Sequence, residues 1–346
     1  MGRKPAGIRS SAAPTLIDVA RVAGVSPITV SRALGRPEVV TDATRKRVLE
    51  AVRATGYVPN LAAGSLASSR SRLVAIFLPT IANSIFADTV QALTDRLAAA
   101  GYQTLLGLTG YSPEQEEALL EAVLGRRPDG IVLTGTEHTQ ASRERLARVG
   151  IPLVEAWDLC EHPVDMLVGF SHEAVGQAVA RYLIGKGYRR VSVVGIDDPR
   201  GLRRYRSLVE ALQGHVRAPV AAQILPAPAT LAVGREGLAR LLQEDVAGEV
   251  VVCSSDTVAQ GVLAEALSRG LRIPQDLAVM GFGDLSSAAH TYPPLSTVRV
   301  DGPRIGCAIA DALLARFAEP AAARQPLRLD VGFDRARQPL SLSGQA

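Results

Sequence analysis

Arg32 closes the run Ser26-Pro27-Ile28-Thr29-Val30-Ser31-Arg32. Its planar fork of donors matches the O6 and N7 acceptors of guanine in a major groove, whereas Pro27 and Ile28 carry no side-chain donor and offer only van der Waals contact, for instance to a thymine methyl. Thr29, Ser31 and Thr44 supply hydroxyls suited to phosphate oxygens, contacts that position a protein on a duplex without reading its sequence. A lone arginine is equally at home on a solvated surface, so Arg32 draws its meaning from what surrounds it. A second concentration of chemistry lies at Arg200, Arg203 and Arg204. These guanidiniums suit a ligand carboxylate, or else simply decorate the start of a solvated helix.

Other chemistries find no support. His138, His162, His172, His215 and His290 show no HExxH or other metal spacing, and Cys160, Cys253 and Cys307 are odd in number and far apart. Zinc, a disulfide framework and other cofactors are therefore not expected. GFGD is not a dinucleotide-binding turn, no phosphate-binding GxxxxGK[ST] loop occurs, and no nucleophile-base pair is visible, so an enzyme is not expected.

Arg32 needs a helix to present it, and the flanking sequence supplies three. Thr15 can cap LIDVARVA, whose apolar residues fall at i, i+3, i+4 and i+7 before Gly24 breaks it. Ser26 can cap a second helix with Pro27 at its first position, running to the Gly35-Arg36-Pro37 break. Thr41 starts a third, DATRKRVLEAVRAT, with Val48, Leu49 and Val52 facing inward and Gly56 at the left-handed cap position. Three short helices with a tight Gly-containing turn between the first two make a helix-turn-helix, whose second helix enters the major groove. Charge agrees: residues 1–72 carry 12 Lys or Arg against 4 Asp or Glu, while the rest holds 26 against 30. A basic module of this kind meets a polyanion, nucleic acid or an anionic membrane.

The segment YVPNLAAGSLASSRS follows, with Tyr57, Pro59 and Asn60 in a turn. LAAGSLA is too short for a stable isolated helix. Leu66 is either a wedge that enters a minor groove when the segment folds on DNA, or a packed residue of a Ser-rich linker. No apolar segment follows the basic N-terminus and no stretch approaches 18 apolar residues, so the expected location is cytoplasmic.

From Leu73 onward LVAIFL, YQTLLGL, GIVLTG, PLVEAW, VSVVGI, EVVVCSS and LAVMGFG alternate with helical patterns, as parallel sheets covered on both faces require. Seven or more such units over about 270 residues exceed one usual open sheet. Two Rossmann-like subdomains are expected, with ligand bound beyond the carboxyl ends of the strands. Those ends fall at Pro79 to Phe86, Thr109 to Tyr111, Thr134 to His138, Glu155 to Asp158, Asp197 to Arg204, Ser254 to Asp256 and Gly281 to Asp284.

The DVA, AGVS, TVSR, TR and GY-x-PN elements stand in order and at the spacing that resembles the headpiece and hinge of LacI/GalR repressors. LPTIANSIFADTV, FSHEAVG, CSSDTVAQG, DLAVMGFGD and PPLSTVRVD are similar to recurring motifs of that family's effector domain. The resemblance implies an all-α helix-turn-helix headpiece plus an α/β periplasmic-binding-protein-like core of two Rossmann-like subdomains. It implies a flexible tail over 1–14, a DNA-binding domain over 15–59, a hinge over 60–71 and an effector-binding and dimerisation domain over 72–346. Within that domain the N-subdomain is expected at 72–170 and 302–328, and the C-subdomain at 171–301 and 329–346. By the same resemblance Thr15, Ser26, Thr29, Ser31, Thr44, Tyr57 and Asn60 contact phosphates, Pro27, Ile28 and Arg32 read bases, and Ala63 and Leu66 occupy minor-groove hinge positions. The effector is expected at Asn83, Phe86, Tyr111, Thr134, Glu155, Trp157, Phe170, Arg204, Ser255, Asp256 and Gly283.

ANSIFADTVQAL, GYQTLLGLTGYSPEQEE, DGIVLTGTEHT and VGFSHEA look more narrowly like the gluconate-operon repressor branch. That branch implies gluconate, a ketogluconate, idonate or 6-phosphogluconate as effector. Ser255 takes a place commonly held by Asn, and Gly283 a place where many members have an Asp. Loss of that carboxylate removes a repulsion of about 4 kcal/mol toward an anionic ligand at about 4 Å and an effective dielectric near 20, and Arg204 is expected to pair with the ligand's carboxylate. The expected protein is a homodimeric repressor on double-stranded operator DNA, released by a sugar acid. A regulator answering to a neutral sugar or purine, and a solute-binding protein, are the alternatives. The C-terminal DRARQPLSLSGQA lacks a leucine heptad for tetramer formation.

Overall fold

In the computed structural model, which describes residues 14–58, 70–319, 328–330 and 333–334, Thr15 starts the first helix with a reciprocal cap. Its hydroxyl accepts the Asp18 N–H at 3.4 Å while its own N–H donates to the Asp18 carboxylate at 2.9 Å, satisfying donors that a helix start leaves open. Helices α1 (Leu16–Ala23), α2 (Pro27–Gly35) and α3 (Asp42–Thr55) follow, with Ser26 and Thr41 capping the second and third. Gly24 and Gly56 end α1 and α3 at φ 64° and 67°, the left-handed region that glycine occupies without strain. Val19, Ala20, Ala23, Val30, Ala33, Val48 and Ala51 form their core. Leu49 and Val52 were expected inward but are only half-buried. Val48 and Ala51 take the sealed positions of α3, and Leu49 and Val52, each one residue further along, lie at the flank of that stripe.

The chain divides into two compact units, Met1–Ser71 and Arg72–Ala346. In the second, β1 (Leu73–Leu78), β2 (Gln103–Leu108), β3 (Gly130–Thr134), β4 (Leu153–Ala156), β5 (Met166–Gly169) and β11 (Arg328–Asp330) form one sheet in the order β11-β5-β4-β3-β1-β2, parallel throughout. A second sheet has β6 (Val191–Ile196), β7 (Ala221–Leu225), β8 (Val250–Cys253), β9 (Ala278–Gly283), β10 (Ser296–Val300) and β12 (Phe333–Asp334) in the order β12-β10-β9-β8-β6-β7, with only β12 antiparallel. The strands β1, β3, β4, β6, β8 and β9 are almost wholly buried, which is why each reads as a continuous apolar run.

Helices α4 (Ala87–Ala99), α5 (Pro113–Leu124), α6 (Gln140–Val149) and α11 (Gly302–Ala318) cover the first sheet; α7 (His172–Gly185), α8 (Pro199–Leu212), α9 (Leu231–Gln243) and α10 (Asp256–Ser268) cover the second. Ser112, Thr139, Ser171, Asp198, Thr230, Ser255 and Asp301 cap α5 to α11. The chain passes between the sheets after β5, after β10 and between β11 and β12. Since β11 pairs with β5, Leu329 and Asp330 side with the first subdomain, against the boundary expected after 328. Strands β5, β7 and β10 escaped the strand-helix alternation: β5 and β10 follow their predecessors without an α-helix, and β7 is a partly exposed edge. No helix among the described residues is long and apolar enough to cross a membrane.

Candidate functional site

In the first unit, α2 buries Val30 and Ala33 and turns Pro27, Ile28, Ser31 and Arg32 outward. Ile28 is 64% exposed. Arg32 has no ion pair among the described residues, whereas Arg21 is held by Asp18 at 3.1 Å. Ser26 Oγ accepts the Thr29 N–H at 3.1 Å and shares a hydrogen bond with Thr29 Oγ1 at 2.9 Å. Thr44 Oγ1 accepts from Thr41 at 3.0 Å. The Thr15, Ser26 and Thr41 hydroxyls hold helix starts, while Thr44 Oγ1 accepts and keeps its own O–H to donate. Tyr57 is half-buried against the helical core. Asn60, Ala63 and Leu66 lie outside the described residues.

In the second unit the carboxyl ends of both sheets face one cleft. Asn83, Phe86, Tyr111, Trp157, His172, Asp198, Arg200, Arg204, Ser254, Ser255 and Phe282 line its inner part. Thr109, Ser112, Thr134, Thr136, Asp158 and Arg203, together with Tyr111, Asp198 and Arg200, line its outer part. Tyr111, Trp157 and Asp284 hold φ of 63°, 67° and 54° just past β2, β4 and β9. Such strained backbone in non-glycine residues persists where surrounding structure over-determines it, commonly at ligand sites.

An aromatic chain runs across the cleft floor. Phe86 meets Trp157 edge-on at 4.9 Å between centroids, Trp157 meets Phe170 at 5.9 Å, and Phe170 meets His172 at 4.8 Å. Arg204 stacks on Phe282 at 3.9 Å and Arg200 on Phe86 at 5.5 Å. Gly176 of α7 permits this placement of α8: a Cβ there would stand 2.4 Å from the Arg204 carbonyl.

The charges are arranged in defined pairs. Arg203 Nη2 donates to Asp158 across the cleft, and Asp158 also accepts from Thr136 Oγ1 at 3.2 Å and the Leu159 N–H at 2.8 Å. Burial raises the Asp158 pKa, opposed by Arg203. Asp198 accepts the Gly201 N–H at 2.8 Å and lies 3.4 Å from Arg200 Nε. Arg204 donates through Nη1 to His172 Nδ1 and through Nη2 to the Ser254 carbonyl, both at 2.9 Å. Burial lowers the Arg204 pKa to about 10 and, with Arg204, holds the imidazole of His172 well below its ordinary value. Burial also lifts the Tyr111 phenol to about 12, so it stays a neutral donor.

Several expected site residues prove to be supports. Glu155 is fully buried beneath the cleft, accepting from Val164 N–H at 2.6 Å and lying 3.2 Å from His138 Nε2, because β4 turns it toward the sheet's far face. Asp256 accepts from Leu285 N–H at 2.6 Å and from Thr297, and burial lifts its pKa to about 6 against those hydrogen bonds. Phe170 stands behind Trp157. Gly283 has φ 129°, and a Cβ there would approach Ile85 Cγ1 at 3.1 Å. Arg204 lines the cleft with one hydrogen bond from each terminal nitrogen, to His172 and to the Ser254 carbonyl. Asp158 and Asp198, which lie within the strand ends named above but were not singled out as contacts, join the lining with Ser112 and His172; the caps Ser112 and Ser171, the latter inside FSHEAVG, mark where those two stand.

Comparison with known proteins places these features in a wider group. Residues 15–60 match the model of the bacterial regulatory proteins of the lacI family, and residues 180–332 that of the periplasmic binding protein-like domain. The chain is 38% identical to the HTH-type transcriptional regulator GntR of Pseudomonas aeruginosa, over 94% of this chain and 95% of that one. It is 31% identical to the regulator of the same name from Escherichia coli K12, over 92% and 96%. Among solved structures, a LacI family transcriptional regulator from Silicibacter pomeroyi superposes with a TM-score of 0.85 at 33% identity, over 93% and 98% of the two chains.

Proposed function

This chain belongs to the lacI family of bacterial regulatory proteins and is a DNA-binding transcriptional repressor; from that premise we propose that it controls genes of sugar-acid catabolism and that gluconate or a related aldonic or ketoaldonic acid, or its 6-phosphate, is its effector. The observation that carries this reading is the cleft itself. Three arginines from one helix converge on it, and Gly283 contributes no carboxylate to repel an anion. The aromatic floor and the surrounding hydroxyls suit a polyol chain, which needs both apolar faces and donors. The names of the two GntR relatives point the same way.

The protein acts in the cytoplasm as a homodimer. Edge strands β2 and β7 expose Leu106, Leu108 and Ile224 at 47%, 48% and 36%, apolar surface that a second copy would cover. Two headpieces then address a pseudopalindromic operator, Arg32 reading guanine and Ile28 a thymine methyl. Effector binding moves the two subdomains and alters the spacing of the paired hinges. The Leu66 segments then leave the minor groove and repression falls, with a coupling of about 1–3 kcal/mol.

A gel shift with duplexes from the protein's own promoter region, with and without gluconate, 2-ketogluconate, 6-phosphogluconate, glucose and purines, tests this reading. Release by a sugar acid at concentrations where glucose and purines are inert is expected. Release by a neutral hexose alone would reject the acid effector, and absence of salt-dependent DNA binding would reject the operator role.

A further inference from the structure

Seven buried side-chain polar atoms lack a hydrogen-bond partner among the described residues, and four of them surround the cleft: Arg200 Nη1, Arg203 Nε, Trp157 Nε1 and Ser254 Oγ. Buried donors without partners are costly, so a concentration of them marks where a ligand supplies acceptors. Arg200 is 8% exposed and Trp157 3%. Two of the four belong to guanidiniums one helical turn apart on α8, and a carboxylate offers two charged oxygens to accept from both.

We infer that Arg200 and Arg203, rather than Arg204, take the effector's carboxylate, and that Asp158 holds part of the Arg203 fork until that carboxylate arrives. This assignment rests on the sugar-acid reading above. Arg204 is the most committed of the three, with Nη1 donating to His172, Nη2 to the Ser254 carbonyl and its face on Phe282, whereas Arg200 and Arg203 each keep a buried nitrogen with no partner. Arg203 meets Asp158 through Nη2 and leaves Nε unmatched. Asp158 keeps Thr136 and the Leu159 N–H when Arg203 turns away, hydrogen bonds that offset part of the cost of parting a buried ion pair.

The balance of charge fits one monocarboxylate at this end. Arg200, Arg203 and Arg204 face Asp158 and Asp198, and His172 is neutral, which leaves one positive charge in excess. The other acids on the wall do not fill it: Glu116 is held by His138 at 2.6 Å and Glu137 is exposed. With the carboxylate so placed, Trp157 Nε1 and Ser254 Oγ remain for hydroxyls of the chain.

Calorimetric titration of the full-length protein with gluconate and with sorbitol, which keeps the hydroxylated chain but lacks the carboxylate, tests the assignment. Arg200→Met and Arg203→Met are each expected to weaken gluconate binding about 10- to 100-fold, the value of one charge-assisted hydrogen bond, and to leave sorbitol binding within twofold of wild type. Asp158→Asn is expected to tighten gluconate binding severalfold, and it stands as the measurement if either arginine variant fails to fold. Wild-type binding of gluconate with all three variants unchanged would overturn the assignment and leave the sugar-acid reading intact. No sugar acid bound by the wild type would remove that reading and this assignment with it.

Discussion

The Arg204 guanidinium donates from Nη1 to Nδ1 of His172 at 2.9 Å. A guanidinium only donates and the Trp157 carbonyl, 2.9 Å from Nε2, only accepts, so the ring is fixed as its neutral Nε2–H tautomer. His172 thus joins the helix that carries the arginines to the backbone of the opposite subdomain.

Replacing His172 by Ala is expected to destabilise the core by about 1–3 kcal/mol, because Arg204 keeps its buried charge and loses an acceptor. Burial and the neighbouring arginines depress the folded-state pKa of His172 below the ordinary 6.5, so the folded protein resists a proton that the unfolded chain accepts. Wild-type stability therefore falls as pH drops below about 6.5. Urea unfolding from pH 5 to 7 checks this, with a flatter profile expected for the variant.

His138 has the opposite sign. It lies 2.6 Å from Glu116 and 3.2 Å from Glu155; burial disfavours its charge, but the two carboxylates outweigh burial and hold its pKa at about 9. A folded pKa raised above 6.5 gives stability that is complete below about pH 6.5 and lost as pH rises through about 9, on the order of 3 kcal/mol in all. Counting these two histidines alone, stability is greatest near pH 6.5. His138→Gln is expected to remove the alkaline loss at the expense of overall stability, as read by unfolding at pH 7, 8 and 9.

Arg32→Ala is expected to reduce operator affinity by about 1–3 kcal/mol and to narrow the gap between operator and random duplex, since a base contact is lost rather than a phosphate contact. Arg32→Lys should restore the charge without the two-pronged geometry and recover only part of the discrimination. Fluorescence anisotropy at two salt concentrations separates these outcomes, and an unchanged operator-to-random ratio for Arg32→Ala would exclude base reading. The exposed side chain leaves headpiece folding unaffected.

At Gly283, φ 129° and the 3.1 Å approach to Ile85 both oppose a side chain. Gly283→Ala is expected to lose about 1–3 kcal/mol of stability. Gly283→Asp should lose as much and also weaken sugar-acid binding beyond the alanine variant, through the added carboxylate. Thermal melts with and without gluconate compare the two; equal gluconate shifts would show that charge at this position is irrelevant to the effector.

The sequence by itself determined everything that depends on neighbours three or four residues apart. Thr15 with Asp18, Ser26 before Pro27, and Gly24 and Gly56 specify three helices and their ends, because capping and left-handed glycine act within one turn. Continuous apolar runs such as LVAIFL specify buried parallel strands for the same local reason. The strand ends so located contain nearly the whole cleft, Arg200 and Arg203 included. Only the tertiary structure decided which of those residues face the ligand. Glu155 points to His138, and Trp157, two positions on, would share its face if the strand continued; past the strand end it turns into the cleft through a positive φ instead. The Arg203–Asp158 pair spans 45 residues and joins the two subdomains, and the Arg204–His172 contact spans 32 between α7 and α8; such partners exist only once the chain has folded. That pairing occupies Arg204 and leaves Arg200 and Arg203 with donors to give, a distinction that three neighbouring arginines in one helix cannot express in sequence.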